Sequence, residues 1–213
     1  MSQHLLIMGA TSGIGRLAKD EALSRGHKVR AFARSADALP EADGLERHVG
    51  DALSREDVSA ALTGVDAVIY ALGIKESVSM LWKEVTLFSR TTEVLLPAMA
   101  EVGVRRLLVV TGFGAGRSKS AMSTLERMGH RAVLGKPYED KDRQEAMLVE
   151  SDLDWTIARP VILTNSARSG KYRVLRDPAE WRNGLISRAD VACYLLDAIE
   201  GQMDVRADVV LAR

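Results

Sequence analysis

The chain has a single cysteine, Cys193. No internal disulfide can brace it, so the fold must rest on its core, and a reducing compartment suits it. No apolar run approaches the roughly 18 residues that cross a bilayer, and no basic stretch precedes a long apolar one at the start. Neither a membrane span nor a secretory leader is expected, and the expected location is cytoplasmic. Charge of one sign is missing too: 29 Lys+Arg face 29 Asp+Glu. That balance excludes a broad basic footprint for nucleic acid or an anionic membrane. His4, His27, His48 and His130 show no metal-ligand spacing, so no metal is expected. Aromatics are scarce at 5%. Trp82, Phe113 and Trp181 are either packing residues or the walls of a pocket for a flat molecule.

What is present is ordinary for a globular protein: 213 residues, 46% apolar and 27% charged. That is enough for one domain with a full core and not clearly two, so a single domain over 1–213 is expected. The chain is organised around Gly9-Ala10-Thr11-Ser12-Gly13-Ile14-Gly15. The apolar run Leu5-Leu6-Ile7-Met8 precedes it. A helical pattern from Arg16 follows, with Leu17, Ala18, Ala22 and Leu23 turned inward. Strand, glycine turn and helix start together make a dinucleotide site. Gly9 adopts angles that a side chain blocks. Gly13 lets the backbone approach a pyrophosphate, and helix-start amides bind its charge. The spacing G-x-x-x-G-x-G differs from the common G-x-G-x-x-G.

Further along, Lys28–Ala33 and Leu45–Val49 read as strands, and Ser54 caps a helix ending near Leu62. Val65–Leu72 is a strand. A long helical segment from Met80 to Val102 is kinked or divided by Pro97. Arg105–Thr111 is apolar on both faces, as a strand covered by helices on both sides must be. Gly112–Gly116 reads as a mobile loop, and it is no Walker loop because no Gly-Lys-Ser/Thr follows. Residues 118–135 read as partly helical. Tyr138–Ser151 is a helix, Asp154–Ala158 a strand, and a polar stretch runs on through Trp181. Ser187 caps the last helix, in which Cys193 is a core residue, and Val209–Leu211 is the last strand. The alternation specifies α/β: a Rossmann-type, doubly wound parallel sheet flanked by helices, with a small C-terminal lobe on the substrate side.

Ligands of such sheets bind beyond the carboxyl ends of the strands. At the end of the second strand, where NAD enzymes carry an acid, stand Arg34 and Ser35. An arginine there suits the 2′-phosphate of NADP, so NADPH is the expected cofactor. An ordinary surface arginine is the alternative. Asp51, with Ala52, follows the third strand, where a carboxylate receives an adenine amino group or simply stabilises a turn. Ala71, Leu72 and Gly73 are small enough to let a ribose and phosphate pass.

These stretches, with Asp66-Ala67-Val68-Ile69, Ser151–Pro160 and Ile186–Ala192, resemble the atypical short-chain dehydrogenase/reductases of the NAD(P)H-binding, NmrA-like group. Within that group the chain is most similar to the biliverdin reductase B (flavin reductase) type. The resemblance implies that Gly9, Thr11, Ser12, Gly13, Ile14 and Gly15 hold the pyrophosphate. It implies that Arg34 and Ser35 take the 2′-phosphate, Asp51 and Ala52 the adenine, and Ala71, Leu72 and Gly73 the middle of the cofactor. Thr111 and Pro160, Val161 and Ile162 would flank the nicotinamide.

One departure matters. The wider family uses Tyr-x-x-x-Lys, the lysine lowering the pKa of a tyrosine acid. Here Tyr138 has Lys141 three residues on, still on the same helix face. Thr111, Tyr138 and Lys141 are the candidate catalytic residues. The expected activity is hydride transfer from NADPH to a small conjugated acceptor such as a flavin or quinone, which can take its proton from water. The rival is a non-catalytic NADP(H)-binding redox sensor. A sugar-nucleotide epimerase is disfavoured by the short segment after Pro160. Monomer and dimer both remain open.

Overall fold

The computed structural model describes residues 2–74 and 85–213, with side chains throughout that range except at 129–134. Ten strands are described: β1 (His4–Met8), β2 (Lys28–Ala33), β3 (Leu45–Val49), β4 (Ala67–Tyr70), β5 (Arg106–Val110), β6 (Asp154–Pro160), β7 (Ile162–Thr164), β8 (Arg173–Leu175), β9 (Leu185–Ser187) and β10 (Ala207–Ala212). Eight form one sheet in the order β3-β2-β1-β4-β5-β6-β10-β8. Every neighbouring pair is parallel except β10 with β8 at the edge. The order reverses between β1 and β4, and a crevice opens at the carboxyl ends there.

Alternation along each strand sets the layers. On β1, Leu5 and Ile7 join the cluster that takes in α1 (Gly13–Ser24) and α5 (Arg188–Glu200). Leu6 and Met8 face the other way, toward α2 (Arg55–Leu62), α3 (Leu87–Val102) and Leu148 of α4 (Thr124–Glu150). Both clusters exclude water almost completely, and each fully buried Leu or Ile contributes about 1.5–3 kcal/mol before chain entropy is subtracted.

The caps expected at Ser54 and Ser187 are present. Ser54 accepts from the Asp57 amide at 3.2 Å, and Ser187 from the Asp190 amide at 3.0 Å. Four expectations change. Helix α1 starts at Gly13, three residues before Arg16, because the glycine turn itself winds into the first helical turn. Pro97 does not divide α3; it lies on the exposed side, where only one carbonyl loses its partner. Likewise α4 runs through Pro137 from a capping box at Ser123 and Glu126, and so begins well before Tyr138. The stretch after β6 holds β7, β8 and, past Trp181, β9, and β7 pairs with β9 to build a two-stranded lobe. The part of the Met80–Val102 helix before residue 85, Trp82 included, lies outside the described residues.

Candidate cofactor and acceptor site

At the reversal point lies a cleft of about 550 Å³. One end is built by the turn between β1 and α1. Gly9 has φ +85°, and a Cβ there would stand 2.6 Å from the Ala71 carbonyl oxygen. A Cβ on Gly15 would stand 2.3 Å from the Gly9 carbonyl oxygen, so these two glycines let turn, helix and β4 close together. Gly13 differs: its φ is +55°, yet nothing lies within 4 Å of where its Cβ would be. The space above it is open to the cleft, which Ser12, Gly13 and Ile14 line. The Ser12 side chain makes no capping hydrogen bond, so the first-turn amides are left for a ligand.

The other end is assembled from distant segments. Phe88 of α3, Val110 and Thr111 after β5, Tyr138 and Lys141 of α4, and Val161 after β6 meet there. Lys141 is half-buried and donates to the Thr111 carbonyl at 2.6 Å, with Phe88 and Tyr138 ring centroids 5.2 and 5.0 Å from its Nζ. Burial pushes its ammonium down to about 8, and Glu145 opposes the shift. Burial and then the Glu145 charge push the Tyr138 phenol up to about 12. Tyr138 therefore stays protonated. Its hydroxyl rests on Gly112, where a Cβ would lie 2.4 Å from it.

Beneath this floor lies an ionic network that sequence reasoning missed. Arg159, 2% exposed, takes Glu145 with two hydrogen bonds of 3.0 and 2.7 Å and also holds Asp208. Arg117 reaches Asp208 from the surface side, and the two guanidiniums lie 5.1 and 5.2 Å from the Trp181 ring centroid. The arginines hold the Asp208 carboxyl below its ordinary range, though burial works the other way. The Arg-Pro dipeptide was visible in the sequence, but its partners stand 14 and 49 residues away.

The Thr111 hydroxyl donates to Glu145 at 2.7 Å, so its proton is directed into the network and away from the cleft. Thr111, one of the candidate catalytic residues, still lines the cleft. The Gly112–Gly116 loop is not loose: Phe113 N donates to the Pro160 carbonyl at 2.9 Å, Gly114 N to Ser118 at 2.9 Å, and Gly116 N to Asp142 at 2.6 Å. Trp181 is a core residue under the two arginines and does not line the cleft. Cys193 is buried, as expected, and so is Trp155.

Of the expected site residues, the cleft gathers Ser12, Gly13, Ile14, Ala71, Leu72, Gly73, Thr111, Tyr138, Lys141, Pro160, Val161 and Ile162. Gly9 and Gly15 stand behind it as spacers. Arg34 and Ser35 are exposed at the end of β2, outside the enclosed part. Asp51 is exposed past β3, and its carboxylate accepts the Leu53 amide at 3.0 Å, the turn that was one of its two readings. Among the described residues no group of three or more His, Cys, Asp or Glu could hold a metal, and no helix is long and apolar enough to cross a membrane.

Against known proteins, the profile of the NAD(P)H-binding family matches residues 9–202. A curated relative from Bacillus subtilis, named as the uncharacterized sugar epimerase YhfK, is 28% identical over 207 residues, covering 92% of this chain and 87% of that protein. Two other curated relatives match only locally, the chain covering 34% of one and 19% of the other. Among solved structures, ChuY, described as an anaerobillin reductase from Escherichia coli O157:H7, superposes with a TM-score of 0.78 at 22% identity, covering 98% of this chain and 96% of that one. A wide-type short-chain dehydrogenase/reductase from Veillonella parvula, solved with NADP, gives 0.84 at 16% identity, covering 100% and 95%. Both likenesses are of fold.

Proposed function

Because the chain belongs to the NAD(P)H-binding family, we propose that it is an NADPH-dependent reductase whose acceptor is a small, flat, conjugated molecule such as a flavin or quinone. The observation that carries this reading is the cleft's two-ended construction. A glycine turn with uncapped helix amides leads past Ala71, Leu72 and Gly73 into an apolar end holding Tyr138 and Lys141. The open space over Gly13 fits a dinucleotide's phosphates, since only backbone stands there.

In this reading Thr11, Ser12 and the amides opening α1 hold the diphosphate. Arg34 and Ser35 take the 2′-phosphate, and Asp51 with Ala52 meets the adenine. Pro160, Val161 and Ile162 press on one side of the nicotinamide, and NADPH when bound supplies the hydride. The chain's own work is to orient two rings, exclude water and keep a proton in reach. Lys141, with its pKa near 8, holds a proton at neutral pH that a reduced acceptor can draw on. Tyr138 serves as a neutral wall and donor. A single domain working in the cytoplasm completes the proposal. The reductase description of ChuY and the NADP in the Veillonella structure support it by analogy of fold.

One observation favours the rival reading of a non-catalytic NADP(H) sensor. The Lys141 ammonium and the Thr111 hydroxyl both point to partners inside the protein. An NADPH-oxidation screen over flavins, quinones and aldehydes separates the two. Turnover that falls in Lys141→Ala supports the reductase. Tight NADPH binding with no turnover on any acceptor supports the sensor. Equal or tighter NADH binding, unchanged in Arg34→Ala, would remove the NADPH assignment.

A further inference from the structure

Two cations line the cleft among the described residues, Lys141 and Arg188, and no carboxylate does. Lys141 is deep and spends its ammonium on a backbone carbonyl. Arg188 is different. It is the first residue of α5, and it belongs to the lobe that β7 and β9 build at the apolar end. A cation at a helix N-terminus meets the positive end of the dipole, so local helix energetics disfavour it. Its hydrogen bond is to a neutral group, the Asn165 side-chain carbonyl at 2.8 Å, which uses one of five guanidinium donors.

Among the described residues no carboxylate neutralises it. Asp190, two residues on, is spent elsewhere: it accepts from the Ser169 amide and hydroxyl, the Gly170 amide and the Ser187 hydroxyl. Glu126, held toward the lobe through Asn183 at 3.3 Å, completes the capping box of α4. Arg25, by contrast, is surrounded by Glu21, Asp197 and Glu200, and Arg159 by Glu145 and Asp208. The cleft that Arg188 lines is also lined by Val161, Ile162, Leu163 and Phe113, apolar surface, and by nothing anionic among the described residues.

We infer that Arg188 is the anion-recognition residue of the acceptor subsite: the acceptor is amphipathic, a conjugated ring against the apolar wall with an acidic substituent, carboxylate or phosphate, on the Arg188 guanidinium. The inference deepens the reductase reading and rests on it for the word acceptor. The guanidinium fork suits an oxyanion in two-point contact, while Asn165 fixes its other side.

Riboflavin and FMN differ only in a phosphate, so their affinity ratio reads this subsite. The ratio is measured by flavin fluorescence with NADP⁺ saturating, so that the cofactor's own phosphates are already in place. Wild type is expected to prefer FMN by about tenfold, the worth of one charge-assisted pair. Arg188→Gln should bring the ratio close to one, and Arg188→Lys should leave it between. In wild type the preference should shrink as salt rises, a readout independent of any variant's folding. An unchanged ratio in Arg188→Gln overturns the assignment, as does failure of either flavin to bind. So does an NADPH affinity that falls in Arg188→Gln while the flavin ratio holds, since Arg188 would then serve the cofactor. Binding that follows this pattern with no NADPH oxidation by any acceptor leaves the subsite standing and removes the reductase reading alone.

Discussion

The two ends of the cleft are made in opposite ways. The nucleotide end is one contiguous stretch, Gly9 to Gly15, whose shape follows from backbone freedom and a helix start. The apolar end draws Phe88, Thr111, Lys141, Glu145 and Arg159 from α3, the turn after β5, α4 and β6, and its shape follows from a buried charge network. The first end is local and tolerates change around it. The second is collective: Glu145 holds Thr111 and Arg159 at once, and losing one member leaves the others charged and dry.

The sharpest way to break this comparison is Arg159→Ala. It leaves Glu145 and Asp208 buried without their shared cation, and a loss of about 3–5 kcal/mol is expected. Urea denaturation measures it; a loss below 1 kcal/mol would mean the network is not the foundation of this end. Next is Gly15→Ala, whose new Cβ meets the Gly9 carbonyl at 2.3 Å. Overpacking against backbone should cost about 3 kcal/mol and weaken NADPH binding with it. Gly13→Ala has open space and pays only for its positive φ, about 1–2 kcal/mol, so the two variants should differ in melting temperature in that order.

A smaller effect is expected at Arg34, exposed at the end of β2. Arg34→Ala should weaken NADPH about tenfold and leave NADH unchanged, the loss of one exposed charged contact to phosphate. Isothermal titration with both cofactors decides it, and equal losses for the two would count against a 2′-phosphate site.

The last is a slope. Lys141 loses its proton near pH 8 in the folded protein but near its ordinary 10.5 when unfolded. Between those values the unfolded chain binds more protons, so this group makes stability rise with pH. Lys141→Met should flatten that part of the profile relative to wild type. Thermal unfolding between pH 7.5 and 10.5 reads the difference, and parallel curves would show that Lys141 is not held in a dry site.

Legibility in the sequence followed the same division. The glycine turn, the strand alternation and the Ser54 and Ser187 caps were readable because each depends on residues within a few positions. The continuity of α3 through Pro97 and the start of α4 were not. Proline argues locally for a break, while Pro97 stands on the solvent side and helix packing carries α3 through it. Glu145 looked like any helix acid, and nothing nearby in sequence announces that Arg159, Thr111 and Gly116 close around it. Thr111 is the same case: its residue type is visible in the sequence and its Glu145 partner is not.

The sequence by itself determined the fold class, the family and the strand–turn–helix unit that a dinucleotide fits. Those follow from hydrophobic period, glycine conformation and helix ends, which are properties of neighbouring residues. Only the tertiary structure decided where the Thr111 proton points, that Lys141 is held on the Thr111 carbonyl, that Trp181 lies beneath two arginines and that Arg188 faces the cleft with a neutral partner. Charge and hydroxyl groups take their chemistry from what surrounds them, and those surroundings come from residues far apart along the chain, 91 positions in the case of Arg117 and Asp208.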